Sequence, residues 1–197
     1  IASSSSTIKI RGLSPLRDLG RSDNGKTWTN IGLNDSHHIG KVMINPINPN
    51  EIVVAALGHL YSKNKERGIF KTLDGGISWK NTLYIDDNTG IIDLDITPNN
   101  FKIQYASSWE KSRQAWDFNG NGENSGIYKS VDSGNTWKLI STNKSGFPIG
   151  NGVGRIGLAV FDSNTIYAVV DNQFRRPKNK ISVDKIELTK NYFESIS

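Results

Sequence analysis

Cysteine is absent from this 197-residue chain. Its absence excludes disulfide bonds, thiolate metal sites and cysteine nucleophiles, and it leaves the redox compartment undetermined. The chain also lacks any run of eighteen apolar residues, which is about the length that a membrane-spanning helix requires. We therefore expect a protein without a membrane span. A basic segment followed by an apolar one, the mark of a secretory leader, does not follow Ile1 either.

Basic residues outnumber acidic ones by 24 to 19, which gives a net charge of +5 and a pI near 9.3. The basic residues are scattered, however, and their one cluster lies at residues 175–180. A groove in which basic side chains alternate with stacking aromatic ones is missing. We therefore expect no nucleic-acid partner.

An internal repeat is the main positive signal in the sequence. It consists of glycine, an apolar-aromatic pair, lysine and Ser/Thr, followed by Asp, glycine and a Thr/Ser-Trp pair. Residues 68–79 and 126–137 are clean copies, and residues 21–28 are a poorer one in which Arg21 replaces Ser/Thr. The repeated acidic and indole side chains are Asp23 and Trp28, Asp74 and Trp79, and Asp132 and Trp137.

The tryptophans of the repeat are 51 and 58 residues apart, close to the roughly 40–50 residues of a four-stranded propeller blade. Between them, short β-branched runs are bounded by Pro, Asn, Asp and Gly, which is typical of antiparallel strands joined by tight turns. No stretch before residue 178 has a long helical period. The sequence therefore predicts an all-β fold, part of a β-propeller built from four-stranded antiparallel blades.

The repeated Asp residues have two interpretations. In a Ser/Thr-x-Asp-x-Gly-x-Thr/Ser segment, the side chains bond nearby backbone N–H groups and glycine supplies positive φ, which closes a compact hairpin turn. The tryptophan beyond the turn then packs on the neighbouring unit. The alternative is a catalytic or metal-binding Asp, but we favour the turn because it already engages the carboxylate.

These segments resemble the Asp-box, or bacterial neuraminidase repeat, of sialidases, xyloglucanase-type glycosidases and the sortilin ectodomain. The segments at residues 55–60, 66–71, 86–90 and 154–158 are most similar to bacterial sortilin-like propellers of the "glycosyl hydrolase" type. The resemblance covers about residues 20–176. It implies a secreted or cell-surface β-propeller, of which this chain looks like a fragment whose partners include the remaining blades.

The same resemblance implies a domain division. Residues 20–176 hold the end of one blade, two complete blades and the start of another, while residues 1–19 match nothing and stay unassigned. Residues 177–197 are an insertion or the start of the next segment. Their apolar residues recur every three to four positions, which is consistent with a short amphipathic helix.

Glycoside hydrolysis requires two carboxylates on either side of a sugar. Asp93 and Asp95 are the candidates, because they share one face of a predicted inner strand and would raise each other's pKa if buried together. Alternation equally makes them the solvated face of that strand, and we favour that interpretation. Sialidase activity is not expected, since the arginines lack the Arg-Ile-Pro context of sialidases that carry this motif.

Two metal hypotheses arise from the sequence. Asp117, Asn119 and Asn121 match the first half of an EF-hand loop, which makes calcium the candidate ion, but the twelfth position holds Tyr128 instead of Glu. A plain Asn/Gly-rich loop is the favoured alternative, so we expect no cofactor. The three histidines, His37, His38 and His59, lack the local spacing that gives one ion two ligands.

Recognition of a ligand is the function that the sequence favours. Trp109, Arg113 and Trp116 lie in one predicted loop, and aromatic residues beside arginine are typical of sugar-stacking or protein-docking surfaces. His59 follows a predicted strand and is a weaker candidate for the same surface, against a structural role. We therefore expect a module that binds protein, peptide or glycan. The alternatives are a polysaccharide-cleaving glycoside hydrolase, with carboxylates partly from other blades, and a structural module of a cell-surface or secreted assembly.

Overall fold

The computed structural model of the protein describes residues 9–10 and 29–173, and within these ranges every regular element is a β-strand. The strands are β1 (Lys9–Ile10), β2 (Thr29–Asn30), β3 (Ile39–Ile44), β4 (Ile52–Ala56), β5 (Gly68–Thr72), β6 (Lys80–Leu83), β7 (Thr89–Thr97), β8 (Asn100–Glu110), β9 (Ser112–Arg113), β10 (Phe118–Asn119), β11 (Ile127–Ser130), β12 (Lys138–Leu139), β13 (Val153–Val160) and β14 (Ile166–Asn172). Among these described residues no helix is long and apolar enough to cross a membrane. The all-β prediction is confirmed.

The strands form successive antiparallel meanders, which we call blades 1, 2 and 3. Blade 1 has the order β3-β4-β5-β6, and blade 2 has the order β7-β8-β11-β12 with the β9–β10 hairpin inserted between its second and third strands. Blade 3 is the pair β13-β14, and the short β1-β2 pair precedes blade 1. Two four-stranded sheets of consecutive strands are what the repeat predicted.

The blades stack through their first strands. Strand β3 contacts β7, and β7 contacts β13. The approach is close: a Cβ on Gly40 would lie 2.5 Å from the carbonyl oxygen of Ile92. Consecutive four-stranded meanders that pack face to face around shared inner strands have the geometry of a β-propeller, so the chain is part of one.

Strand β4 is apolar at every position because both of its faces are buried. Alternate side chains point to opposite faces of a strand. Val53 and Ala55 join the core between blades 1 and 2, while Val54 and Ala56 join the core on the other face of blade 1. A strand buried on both faces reads as a continuous apolar run. Each fully buried side chain of this size contributes about 1.5–3 kcal/mol of transfer free energy.

The two clean repeats form the predicted hairpin turns with the same atoms. In the first, the Asp74 carboxylate accepts hydrogen bonds from Ser78 N at 2.9 Å and from the Thr72 hydroxyl at 2.6 Å. In the second, the Asp132 carboxylate accepts hydrogen bonds from Thr136 N at 2.9 Å and from the Ser130 hydroxyl at 2.8 Å. The turn therefore satisfies its own polar groups. Asp23 and Trp28, in the poorer copy, lie outside the described residues.

Each repeated tryptophan joins its own blade to the unit that precedes it in the chain. Trp79 Nε1 donates to the carbonyl oxygen of Ile31, just after β2, at 2.7 Å. Trp137 Nε1 donates to the hydroxyl of Thr82 in β6 at 3.2 Å. The predicted packing of the indole on the neighbouring unit is thus the role that the structure assigns to both residues.

The repeated lysine extends the same contacts in the other direction. Lys71 Nζ donates to the carbonyl oxygen of Ser133, in the turn of blade 2, at 2.8 Å. Lys129 Nζ donates to the carbonyl oxygen of Ser163, in the turn of blade 3, at 3.0 Å. The repeated lysine therefore makes structural contacts between neighbouring blades.

An antiparallel meander sends alternate connections to opposite ends of a blade. One end, which we call the turn end, carries the short β3–β4, β7–β8 and β13–β14 turns and both repeat turns. The other, the loop end, carries the approach to β3 and the four remaining connections, which are residues 31–38, 57–67, 84–88, 111–126 and 140–152. Three of these four connections are longer than any at the turn end. The predicted helix at 177–197 lies outside the described residues, as do all of residues 1–19 except β1.

Candidate functional site

Arg67 organises the loop at residues 57–67. Its guanidinium is only 2% exposed and donates hydrogen bonds to four backbone carbonyl oxygens, those of Leu57, His59, Ser62 and Asn88. Burial lowers the pKa of Arg67 from its ordinary value, and the nearby carboxylates of Asp86 and Asp87 act in the opposite direction. A buried cation bound to carbonyls fixes the backbone path, so the loop is presented in one conformation.

A polar cluster lies where this loop meets residues 31–38. His59 Nε2 is 3.0 Å from Asp35 Oδ1, and His59 Nδ1 is 2.6 Å from the Ser62 hydroxyl. The His37 ring stacks on the His59 ring, with centroids 3.9 Å apart. The Asn64 amide also bonds Asp35, and this hydrogen bond is the main cause of a pKa of Asp35 below its ordinary value.

Local spacing did not predict this cluster. Its members come from two loops that are far apart in sequence, and only the packing of β3 against β4 brings them together. His37 and His59 lack local ligand spacing in the sequence, and the fold nevertheless brings their rings into contact. Together with Asp35, they place ligating atoms within 4.8 Å of one another.

Aromatic and cationic side chains gather on the loop of blade 2. Trp109 and Phe118 meet edge to face at a centroid distance of 6.2 Å. The Arg113 guanidinium lies 5.4 Å from the Phe118 ring centroid, and Arg155 lies 6.0 Å from that of Trp109. Trp116 is 85% exposed. We call these five residues, with Lys111, the aromatic-cationic patch.

Lys111 is the buried member of this patch. It is 8% exposed, and its ammonium lies 5.8 Å from the Trp109 ring centroid and 3.3 Å from the carbonyl oxygen of His59. Burial, with the nearby positive charges of Arg67 and Arg113, lowers the pKa of Lys111 to about 8. The side chain therefore loses its charge closer to neutral pH than an ordinary lysine does.

The patch contains three of the four predicted recognition residues. Trp109 and Arg113 both contact Phe118, and Trp116 is an exposed residue of the same loop, whereas His59 belongs to the polar cluster. Sequence reasoning missed Lys111 and Arg155, because nothing local indicates that a strand-end lysine is buried or that a blade 3 arginine reaches Trp109.

Asp93 and Asp95 lie at the contact between blades 2 and 3, half-buried, instead of on a solvated face. Asp93 Oδ2 accepts a hydrogen bond from Leu158 N at 2.8 Å, and Asp95 Oδ2 accepts one from Val160 N at 2.9 Å. Asp93 also bonds the Lys41 ammonium at 3.2 Å. Each carboxylate thus accepts a hydrogen bond from the backbone of β13, which disfavours the catalytic alternative that the sequence left open.

The candidate calcium loop is a hairpin with its own contacts. Asn119 belongs to β10, and Asn121 donates a side-chain hydrogen bond to the carbonyl oxygen of Asn151. Asp117 is exposed, and its backbone oxygen accepts a hydrogen bond from Gln114 N. Tyr128, at the twelfth position, lies in β11 and pairs with Leu139 of β12. The geometry favours the plain loop over an EF-hand site.

No family model matches the chain, and no curated protein matches it. Solved structures with a similar fold include an ancestral GH74 enzyme, 20% identical over 74% of this chain with a TM-score of 0.49. Another is the GH74 enzyme of Niastella koreensis, 19% identical over 75% with a TM-score of 0.44. The chain spans only 18% and 22% of those two structures. The propeller assignment rests on the blade geometry itself.

Proposed function

We propose that this chain is part of a secreted or cell-surface Asp-box propeller of the sortilin-like type that binds a glycan through its loop end. One observation carries the proposal: at the loop end Trp116 is 85% exposed, and two residues along the chain the Phe118 ring is 49% exposed and paired with Arg113. Apolar faces of sugar rings stack on such aromatic surfaces, and arginine supplies several donors for hydroxyl or carboxylate oxygens.

The turn end of the described residues also exposes apolar side chains, among them Ile47, Ile77 and Phe161, but its charged groups serve the fold. Its carboxylates close the repeat turns and its lysines bond the next blade. The loop end instead carries an aromatic ring paired with arginine, Phe118 with Arg113, besides the exposed Trp116. A protein or peptide ligand would use the same patch, and we favour a glycan because the apolar faces of sugar rings stack on exposed aromatic side chains.

A glycoside hydrolase is the second candidate, and the described carboxylates weigh against it. Asp86 accepts hydrogen bonds from Thr89 and from the Asn124 amide, and Glu110 accepts one from Asn124 N. Asp93 and Asp95 are engaged at the blade contact. A catalytic pair would therefore need carboxylates from other blades of the intact protein.

Affinity electrophoresis and calorimetry of the intact protein against neutral and uronic-acid polysaccharides test the proposal. Trp116→Ala should weaken binding of the best ligand by about tenfold, which corresponds to about 1.4 kcal/mol. The matched control is Ile77→Ala, since Ile77 is an apolar residue that is 81% exposed at the turn end. Binding that survives Trp116→Ala, or that falls equally in the control, would refute the patch as the site. Release of reducing sugar would favour the hydrolase.

A further inference from the structure

The polar cluster at the loop end has the composition of a metal site. Asp35 and His37 come from the segment before β3, and His59 comes from the loop after β4. One ligating atom from each side chain lies within 4.8 Å of the others. Two imidazoles and one carboxylate are ligands that Zn²⁺ and related divalent ions accept.

The distance between His59 and Asp35 already suits a shared ion. Nε2 and Oδ1 are 3.0 Å apart. Two ligand atoms on a tetrahedral zinc ion, each about 2.0–2.1 Å from it, are about 3.3 Å apart. An ion can therefore replace the contact with a shift of a few tenths of an ångström.

Both groups are oriented from behind by further hydrogen bonds. His59 Nδ1 pairs with the Ser62 hydroxyl, and Asp35 Oδ2 accepts from the Asn64 amide at 3.2 Å. The same Asn64 accepts from His59 N at 3.0 Å, so one side chain fixes both ligands. Metal-ligating His and Asp side chains characteristically have such outer partners, which set the tautomer and the ring orientation.

These partners also suit the exchange of a proton for an ion. With Nε2–H donating to Asp35 at 3.0 Å and Nδ1 accepting from the Ser62 hydroxyl, both contacts of His59 are satisfied without a metal. An ion would take the place of the Nε2 proton, and Nδ1–H would then donate to Ser62. Glu66, whose carboxylate accepts from Asp35 N at 2.8 Å, adds negative charge beside the site.

His37 completes the set after one movement. Its ring lies parallel to His59, at an interplanar angle of 18°, and two stacked imidazoles cannot direct their in-plane lone pairs at one ion. Rotation of the His37 side chain brings its nitrogen to the His59–Asp35 edge, which lies within 4.8 Å. The backbone of the cluster needs no change.

We propose that Asp35, His37 and His59 bind one divalent transition-metal ion of the zinc class, with the fourth position open to water or to a ligand oxygen. The site shares no ligand with the aromatic-cationic patch, although Lys111 of that patch donates to the carbonyl oxygen of His59, and the proposal does not depend on glycan binding. Because both imidazoles must be unprotonated to bind the ion, its affinity falls on acidification.

Calorimetric titration of the chelator-treated intact protein with ZnCl₂, and with CoCl₂ followed by visible absorption, tests the site. We expect one ion per chain and tetrahedral Co²⁺ bands. His59→Gln and Asp35→Asn should each weaken binding by about 10–100-fold. His37→Asn, chosen because Asn tolerates the positive φ of +58° at this position, should weaken it similarly.

The control is His38→Gln. His38 is adjacent in sequence, but its Nδ1 pairs with the carbonyl oxygen of Gly58 at 3.0 Å, and it supplies none of the three ligand atoms. Zinc affinity should be unchanged in this variant. Circular dichroism of each variant establishes that it is folded. Absence of Zn²⁺ binding at 100-fold excess, or affinity in folded His59→Gln equal to that of the parent, would overturn the proposal. A His37→Asn variant that binds normally would overturn the three-ligand set.

Discussion

The contact between blades 2 and 3 allows a graded stability test. Asp93→Ala removes the acceptor of the Leu158 amide and the partner of the Lys41 ammonium. Asp95→Ala removes only the acceptor of the Val160 amide from the neighbouring blade. Loss of one hydrogen bond to a charged group costs about 1.5–3 kcal/mol. The Lys41 pair, whose side chains are 38% and 21% exposed, adds no more than about 1 kcal/mol.

The free energy of unfolding should therefore fall by about 3 kcal/mol for Asp93→Ala and by about 2 kcal/mol for Asp95→Ala. Asp93→Asn should lose less than Asp93→Ala, since its amide oxygen still accepts from Leu158. Urea denaturation followed by tryptophan fluorescence measures all three. The matched control is Asp117→Ala. Because the Asp117 side chain is exposed, this variant should have the same free energy of unfolding as the parent protein.

The order of these values is what the reasoning predicts. Surface substitutions usually change the free energy of unfolding by less than about 0.5 kcal/mol. If the values for Asp93→Ala and Asp95→Ala both lie within that range of the control, the carboxylates do not hold the blades together. That outcome would return both residues to the list of candidates for chemistry. A larger loss in Asp95→Ala than in Asp93→Ala would contradict the bond assignment.

Three further predictions concern packing and pH. Gly40→Ala should destabilise by about 1–3 kcal/mol in urea, because its Cβ meets the Ile92 backbone; an unchanged denaturation midpoint would contradict the packing. Burial raises the pKa of Asp132, but hydrogen bonds led by those from Thr136 lower it to about 2. Its contribution to stability is thus complete above about pH 4 and lost towards pH 2, so acid titration of Asp132→Asn should show a shallower fall than the parent. Lys111, with a pKa of about 8 against 10.5 when unfolded, binds fewer protons in the folded state between those values. Stability should therefore rise with pH from 8 to 10.5, and Lys111→Met should abolish that rise in denaturation midpoints; a persistent rise would refute the assignment to Lys111.

The turns were predictable because their determinants are local. Every hydrogen bond of the Asp74 carboxylate links residues within four positions of one another, from Thr72 to Ser78. The apolar run of β4 likewise follows from burial on both faces of a strand. Local rules therefore yielded the blades and the turn chemistry.

The site was harder to predict because its determinants are distant in sequence. Strand alternation places Asp93 and Asp95 on one face, but it does not say that this face meets β13, some sixty residues later. His59 meets Asp35 only because β4 pairs with β3. The burial of Lys111 depends on the carbonyl of His59, which belongs to another blade.

The inner strands differ at the positions that face the next blade. Lys41 of blade 1 pairs with Asp93 of blade 2, whereas Asp93 and Asp95 of blade 2 accept hydrogen bonds from backbone amides of blade 3. The two described joints are thus not equivalent: the first contains an ion pair, and the second contains carboxylates on a strand edge. If the blades packed in another order, a charged side chain would lose its partner or a backbone amide would lose its acceptor. These contacts therefore determine which blades are neighbours, in addition to the chain connectivity.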